Sequence, residues 1–181
     1  MRQFIEIPDA LCVVVAILLT VVSCGNRGGE PINHEVIQGI TMVSIPSGSF
    51  DMGYDFTTDS AQPGGINVYY TDEQPVHTVH LSAFQMSSTE ITQEQFARIM
   101  DKNPSTFSGD DNLPVTNLGA TEALLFCNKL SEAAGFDPCY DESTGKCDLS
   151  GNGFRLPTEA EWEYACRAGT ATHFYTGSTE Q

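Results

Sequence analysis

The chain has 181 residues, 40% hydrophobic and 9% aromatic, enough for one globular domain of ordinary size behind a leader. Eight Lys and Arg stand against 24 Asp and Glu, a formal net charge of −16. That balance excludes nucleic acid as a partner, because affinity for a phosphate backbone comes mostly from cations that neutralise it.

The first predicted element is the apolar run ALCVVVAILLTVV, residues 10–22, followed by SCGNRGGEP. About a dozen apolar residues are too few to cross a bilayer as a helix and suit the core of a signal peptide. Ser23 supplies the small residue before a cleavage point, and VVSC followed by Gly25 resembles a bacterial lipobox. That resemblance implies that residues 1–23 are a lipoprotein signal peptide and that Cys24 carries lipid as the mature N-terminus. The expected location is the cell envelope, with the membrane as partner through the lipid. Gly25 stands where Asp would signal inner-membrane retention, so the outer membrane is the expected leaflet in a host that has one.

Residues 24–38, polar and Gly- and Pro-containing, read as a tether, and residues 39–181 as the domain. Within ITMVSIPSGSFDMG, residues 40–53, two short strands flank a tight Pro-Ser-Gly turn. Residues 54–73 lack any helical period, contain Pro63-Gly64-Gly65 and read as a loop. Val76, Val79, Leu81 and Phe84 then mark strand sequence. A first helix starts at Thr92 with Gln95 completing a capping box, and turns Phe96, Ile99 and Met100 inward. Pro104 and Pro114 break the stretch that follows. A second helix carries Ala123, Leu124, Cys127, Leu130 and Ala134 at the spacing of a buried stripe and ends at Gly135. A third opens GFRLPTEAEWEYACRAGT, residues 153–170, with Thr158 and Glu161 as its capping box. Glu159, Glu161 and Glu163 suit the positive end of its dipole, and Glu163 and Arg167 form an i, i+4 pair. Trp162, Ala165 and Cys166 are expected to face inward, with Gly169 ending the helix.

Export leaves four cysteines for the mature domain: Cys127, Cys139, Cys147 and Cys166. Three pairings are open to them. Cys139 and Cys147 flank the turn-rich YDESTGK, so a local hairpin disulfide is one expectation, stabilising by roughly 2–3 kcal/mol through chain entropy. Their spacing does not suit CxxC redox chemistry or a zinc knuckle. His77 and His80, three apart on a strand, point to opposite faces and do not share an ion. Asp141, Ser143, Gly145 and Asp148 resemble a calcium loop but lack the Gly and Glu positions of an EF-hand. No phosphate loop, GxSxG elbow or Ser-His-Asp set is present, and no metal site is assigned.

Four stretches in order, MVSIPSGSFDMG, DEQPVHTVHLSAFQMSSTEITQEQF, LPVTNLGATEALLFCNKLSE and GFRLPTEAEWEYACRAGT, are similar to the sulfatase-modifying-factor family of the formylglycine-generating enzyme. The motif residues are Arg155, Leu156, Pro157, Thr158, Glu159, Glu161 and Trp162. The resemblance implies an irregular, loop-rich α+β fold of the C-type-lectin type. It implies an activity that oxidises a sulfatase cysteine to formylglycine with oxygen and a copper ion held by two cysteines. In that family the copper cysteines and the main calcium ligands follow the RLPTEAEWEYA helix. The chain stops at Gln181, so it is expected to hold only the N-terminal part of the fold, with no catalytic residue and no cofactor of its own. Copper and calcium are implied for the full-length domain only. Cys127 and Cys166 match positions where family members carry structural cysteines bonded to the later half. Gly119-Ala120 departs from the family's Ser-Trp, and Gln93 from its Asn.

Two functions follow. One is an exported enzyme of the formylglycine-generating type, with sulfatases as partners and the 181 residues inactive alone. The other is a non-catalytic, lipid-anchored module that binds envelope proteins.

Overall fold

In the computed structural model the described residues are 22–23, 35–53, 74–107 and 109–171. The expected lipidation site Cys24, most of the run 10–22 expected as a signal core, the part of the expected tether before residue 35 and the expected loop 54–73 lie outside them.

Ten short elements follow one another: β1 (Val22–Ser23), β2 (Glu35–Ile37), β3 (Ile40–Ile45), β4 (Gly48–Met52), β5 (His77–Leu81), β6 (Phe84–Ser87), α1 (Gln93–Met100), α2 (Ala120–Ala133), β7 (Phe154–Arg155) and α3 (Glu159–Arg167). Five strands form one sheet in the order β2-β3-β6-β1-β7, and β4 and β5 form a separate antiparallel pair. The two strands expected within residues 40–53 are present, but they are not each other's partners. β3 pairs with β6 through Val43 and Met86, whereas β4 pairs with β5 through Phe50 and Val79. β2 pairs with β3, and β1 lies antiparallel between β6 and β7.

Alternation along the sheet builds two unequal cores. On one face Ile40, Met42 and Phe154 pack with Ile91, Phe96 and Met100 of the α1 region and with Ala123, Phe126, Cys127 and Leu130 of α2. Phe96 and Phe126 stack at 5.2 Å between ring centroids. On the other face the buried pair Phe84 and Met86 meets Ile45, Leu81, Tyr164 and Ala165. Tyr164 reaches on to Phe50 of the β4–β5 pair, 5.4 Å away.

The capping boxes expected at Thr92 and Thr158 both form, each hydroxyl accepting the backbone N–H three residues on. Helix α2 is capped by Gly119, whose N–H donates to the Glu122 carboxylate at 3.3 Å. Gly135 (φ 78°) follows α2 in the left-handed region, as expected of a C-terminal glycine. At α3 the left-handed turn begins one residue earlier, at Ala168 (φ 46°), before Gly169 (φ 85°).

Candidate functional site

The GFRLPTEAEWEYACR segment is where the long-range contacts converge. Gly153 is held between elements: a Cβ there would sit 2.1 Å from the Asp137 carbonyl oxygen and 2.8 Å from Ser131 Oγ. Only a glycine lets the chain pass that close. Ser131, fully buried on α2, accepts the Phe154 N–H at 2.7 Å and donates to the Cys127 carbonyl at 2.8 Å. Asn128 does the same for the neighbouring loop. Its amide donates to the Tyr140 carbonyl (2.8 Å) and accepts the Tyr140 N–H (3.0 Å), imitating a strand edge. Tyr140 Oη then accepts the Leu156 N–H at 3.0 Å.

Phe154 and Arg155 are consecutive on β7, so they point to opposite faces. Phe154 enters the larger core, and Arg155 turns to α3, where its guanidinium forks onto Glu161 at 2.7 and 2.6 Å. Both side chains are about nine-tenths buried. Burial raises the Glu161 carboxyl, but the Arg155 and Thr158 hydrogen bonds outweigh it and hold the group below its ordinary value.

This pair decides which way α3 faces. With Glu161 turned in, the inward stripe is Glu161, Tyr164 and Ala165. Trp162 and Cys166 lie one residue round the helix, about 100° away at 3.6 residues per turn. The expectation that Trp162 and Cys166 face inward is therefore corrected: Trp162 is 46% exposed and Cys166 is exposed, while Ala165 does pack against the sheet. Between them and the sheet runs an open groove of about 650 Å³, walled by Val43, Ile45 and Met86 on the sheet side and by Trp162, Ala165 and Cys166 on the helix side.

A second pair on α3 reaches the other sheet. Glu163 and Arg167 meet at 2.7 Å, as their spacing implied. Together they clasp Gly53: its N–H donates to Glu163 Oε1 (3.0 Å) and its carbonyl accepts from Arg167 (2.7 Å).

The cysteines take different roles. Cys127 and Cys139 are buried, Cys147 is half-buried and Cys166 is exposed. The antiparallel bridge pairs Tyr140 with Cys147 and sets Cys139 opposite Asp148. The two cysteines thus occupy alternating rather than facing positions of the ladder. Cys127 is fully buried, and burial, followed by the neighbouring Cys139 and Cys147, pushes its thiol far above the ordinary range.

Copper and calcium find no fitting donor set among the described residues. Soft metals bind thiolates, and the Cys127 environment opposes ionisation. Among the described residues no three His, Cys, Asp or Glu side chains converge on a point. Asp141 and Asp148 spend Oδ1 on their own turns, accepting from Ser143 and Thr144 and from Ser150. His77 and His80 are both exposed on β5, opposite Met52 and Ser49. Gln93 is buried and bonded to Phe107, Pro114 and Asn103, a structural role that the sequence pattern did not signal.

The short strands, the few helices and the connecting loops define an irregular α+β fold of the C-type-lectin type. Residues 29–181 match the family described as sulfatase-modifying factor enzyme 1-like domain, and the chain belongs to that family. Its relatives include the chaperone protein LppX of Paenibacillus barcinonensis, 34% identical over 55% of this chain and 41% of that protein. The formylglycine-generating enzyme of Mycobacterium tuberculosis is 26% identical, over 77% of this chain and 56% of the enzyme. Among solved structures, Treponema denticola variable protein 1 superposes with a TM-score of 0.63 at 31% identity, covering 78% of this chain and 57% of that one. CarF superposes at 0.53 and 25% identity, covering 74% and 58%. The chain spans about half the length of the relatives it matches.

Proposed function

We propose that these residues form the scaffold part of an exported protein of the formylglycine-generating type, anchored to the envelope by lipid on Cys24. The whole protein would oxidise a cysteine of a sulfatase to formylglycine, with copper ligands supplied by residues beyond those described. One observation carries this reading: similarity to formylglycine-generating enzymes extends over three-quarters of this chain but only about half of each enzyme. The RLPTEAEW segment then acts as a brace for a site rather than as the site, consistent with an Arg155–Glu161 pair that is fully engaged internally. The test is to incubate the complete gene product with copper, oxygen and a CxPxR-containing peptide. Conversion of the cysteine to an aldehyde supports the reading, and an unmodified peptide overturns it.

A second reading, a lipid-anchored binding module without catalysis, is favoured by the relative named a chaperone and by the open groove at Trp162. Crosslinking in cells tests it, since a module of this kind keeps a stable envelope neighbour. Intact mass of the native protein tests the anchor common to both readings.

A further inference from the structure

The α3 groove is not apolar throughout. Val43, Ile45 and Trp162 line its walls, but beyond Met86 its rim carries Ser87, Ser88, Thr89 and Glu90 in succession. Glu90 stands apart from the other glutamates that are partly or wholly buried. Glu122 holds Lys102, Glu161 holds Arg155 and Glu163 holds Arg167. Glu90 is partly buried as well, yet among the described residues no hydrogen bond or ion pair reaches its carboxylate. A carboxylate partly withdrawn from water is stabilised by a cation. The chain has few to offer: eight Lys and Arg against 24 Asp and Glu, with Arg98, Lys102, Arg155 and Arg167 engaged elsewhere.

We propose that the groove binds a Lys- or Arg-bearing segment of another protein, with the cation at Glu90 and neighbouring apolar side chains on Val43, Ile45 and Met86. The proposal rests on the binding-module reading above and names the chemistry of its partner. The stem of Lys or Arg is apolar and its head charged, which matches a groove with apolar walls and an acidic rim. Trp162, 46% exposed, presents an indole, the ring that attracts cations best. The net charge of −16 draws a basic segment in, and repels an anionic lipid surface or a second copy of the chain. A volume of about 650 Å³ accommodates several side chains rather than a lone ammonium ion.

Trp162 is the one Trp of the sequence, so its emission reports the groove. The full chain is titrated with blocked, Trp-free peptides of equal length: alternating Leu and Arg, alternating Leu and Gln, and alternating Gly and Arg. The Leu-Arg peptide should shift the emission to the blue and slow the alkylation of Cys166, and the other two should bind more weakly. Glu90→Gln should cut Leu-Arg affinity about tenfold, as expected for the loss of one charge-assisted hydrogen bond, and leave Leu-Gln affinity unchanged. Glu132→Gln, which removes the same charge from an exposed position of α2 outside the groove, should change neither. Cys166→Arg, which sets a cation in the groove at an exposed position, should weaken the Leu-Arg peptide without touching the core. Equal losses in Glu90→Gln and Glu132→Gln would reduce the effect to general attraction by an acidic body and overturn the proposal. So would an absent response to the Leu-Arg peptide, or a complete gene product that shields Cys166 and excludes the peptide, which would assign the groove to other residues of the same protein. An envelope neighbour that crosslinks equally to the parent and to Glu90→Gln overturns the proposal and leaves the binding-module reading standing.

Discussion

Arg155 and Glu161, six residues apart, form a two-pronged ion pair between β7 and the first turn of α3, with both side chains almost out of solvent. The same carboxylate accepts the Thr158 N–H at 2.8 Å, so one side chain caps the helix and locks it to the sheet. Removing one partner from a buried pair costs about 3–5 kcal/mol, because the other charge is stranded. Arg155→Ala is expected to cost that much, and Arg155→Met with Glu161→Leu much less than the single change. Chemical denaturation of the two variants beside the parent checks the ordering, and an Arg155→Ala midpoint equal to the parent's would refute the lock.

The pair also sets a pH dependence. The Glu161 carboxyl lies below its ordinary value in the folded protein, so the folded state binds that proton less readily than the unfolded one. Its contribution is full above the ordinary carboxylate range and is lost as pH falls through the folded-state value. Thermal midpoints measured down an acid series should drop more steeply in the parent than in Glu161→Gln. Parallel slopes would mean that the acid loss arises elsewhere.

Ser131→Ala is expected to destabilise by about 1–3 kcal/mol, the cost of leaving the buried Phe154 N–H without an acceptor. Ser131→Thr keeps the hydroxyl and tests whether the bond or the cavity matters. Hydrogen exchange at the Phe154 amide is the specific readout, and it should accelerate in the alanine variant alone.

Gly153→Ala introduces a methyl 2.1 Å from the Asp137 carbonyl oxygen, and backbone at that distance cannot simply rotate away. Overpacking of this kind costs about 1–3 kcal/mol or more. Gly119→Ala is the control, since its added Cβ meets nothing within 4 Å. Equal melting temperatures for the two variants would show that the segment yields.

Cys127 and Cys166 should separate by rate of alkylation. Cys166, exposed beside the groove, is expected to react in the native protein, and Cys127 only on unfolding, since burial both shields it and opposes the thiolate. Peptide mapping after timed alkylation distinguishes them, and early labelling of Cys127 would contradict the packing of α2.

Capping boxes at Thr92 and Thr158, the Phe96–Met100 face, Ala123, Cys127 and Leu130 of the α2 stripe and the Glu163–Arg167 pair were legible in the sequence, whereas Phe126 enters the core in place of the expected Leu124. Each is set within one turn or a few turns of helix, where spacing alone decides which groups meet. The family motifs were legible for a related reason: they preserve local geometry in fixed order. Partners of strands were not. β3 and β4 are adjacent in the chain yet belong to different sheets, because their partners β6 and β5 come only after residue 76. Nor does any local signal foretell that Gly53 is clasped by Glu163 and Arg167, 110 and 114 positions away.

The orientation of α3 shows where the line falls. Its start, its caps and its amphipathic character are properties of residues 157–169 and need nothing else. Which stripe faces the sheet is settled by β7, because Arg155 emerges on the α3 side only once Phe154 has entered the opposite core. Glu161 follows Arg155, and Trp162 and Cys166 are carried round into the groove. The sequence by itself determined the helix; the tertiary structure decided its rotation, because burying a charge with its partner outweighs burying an indole without one.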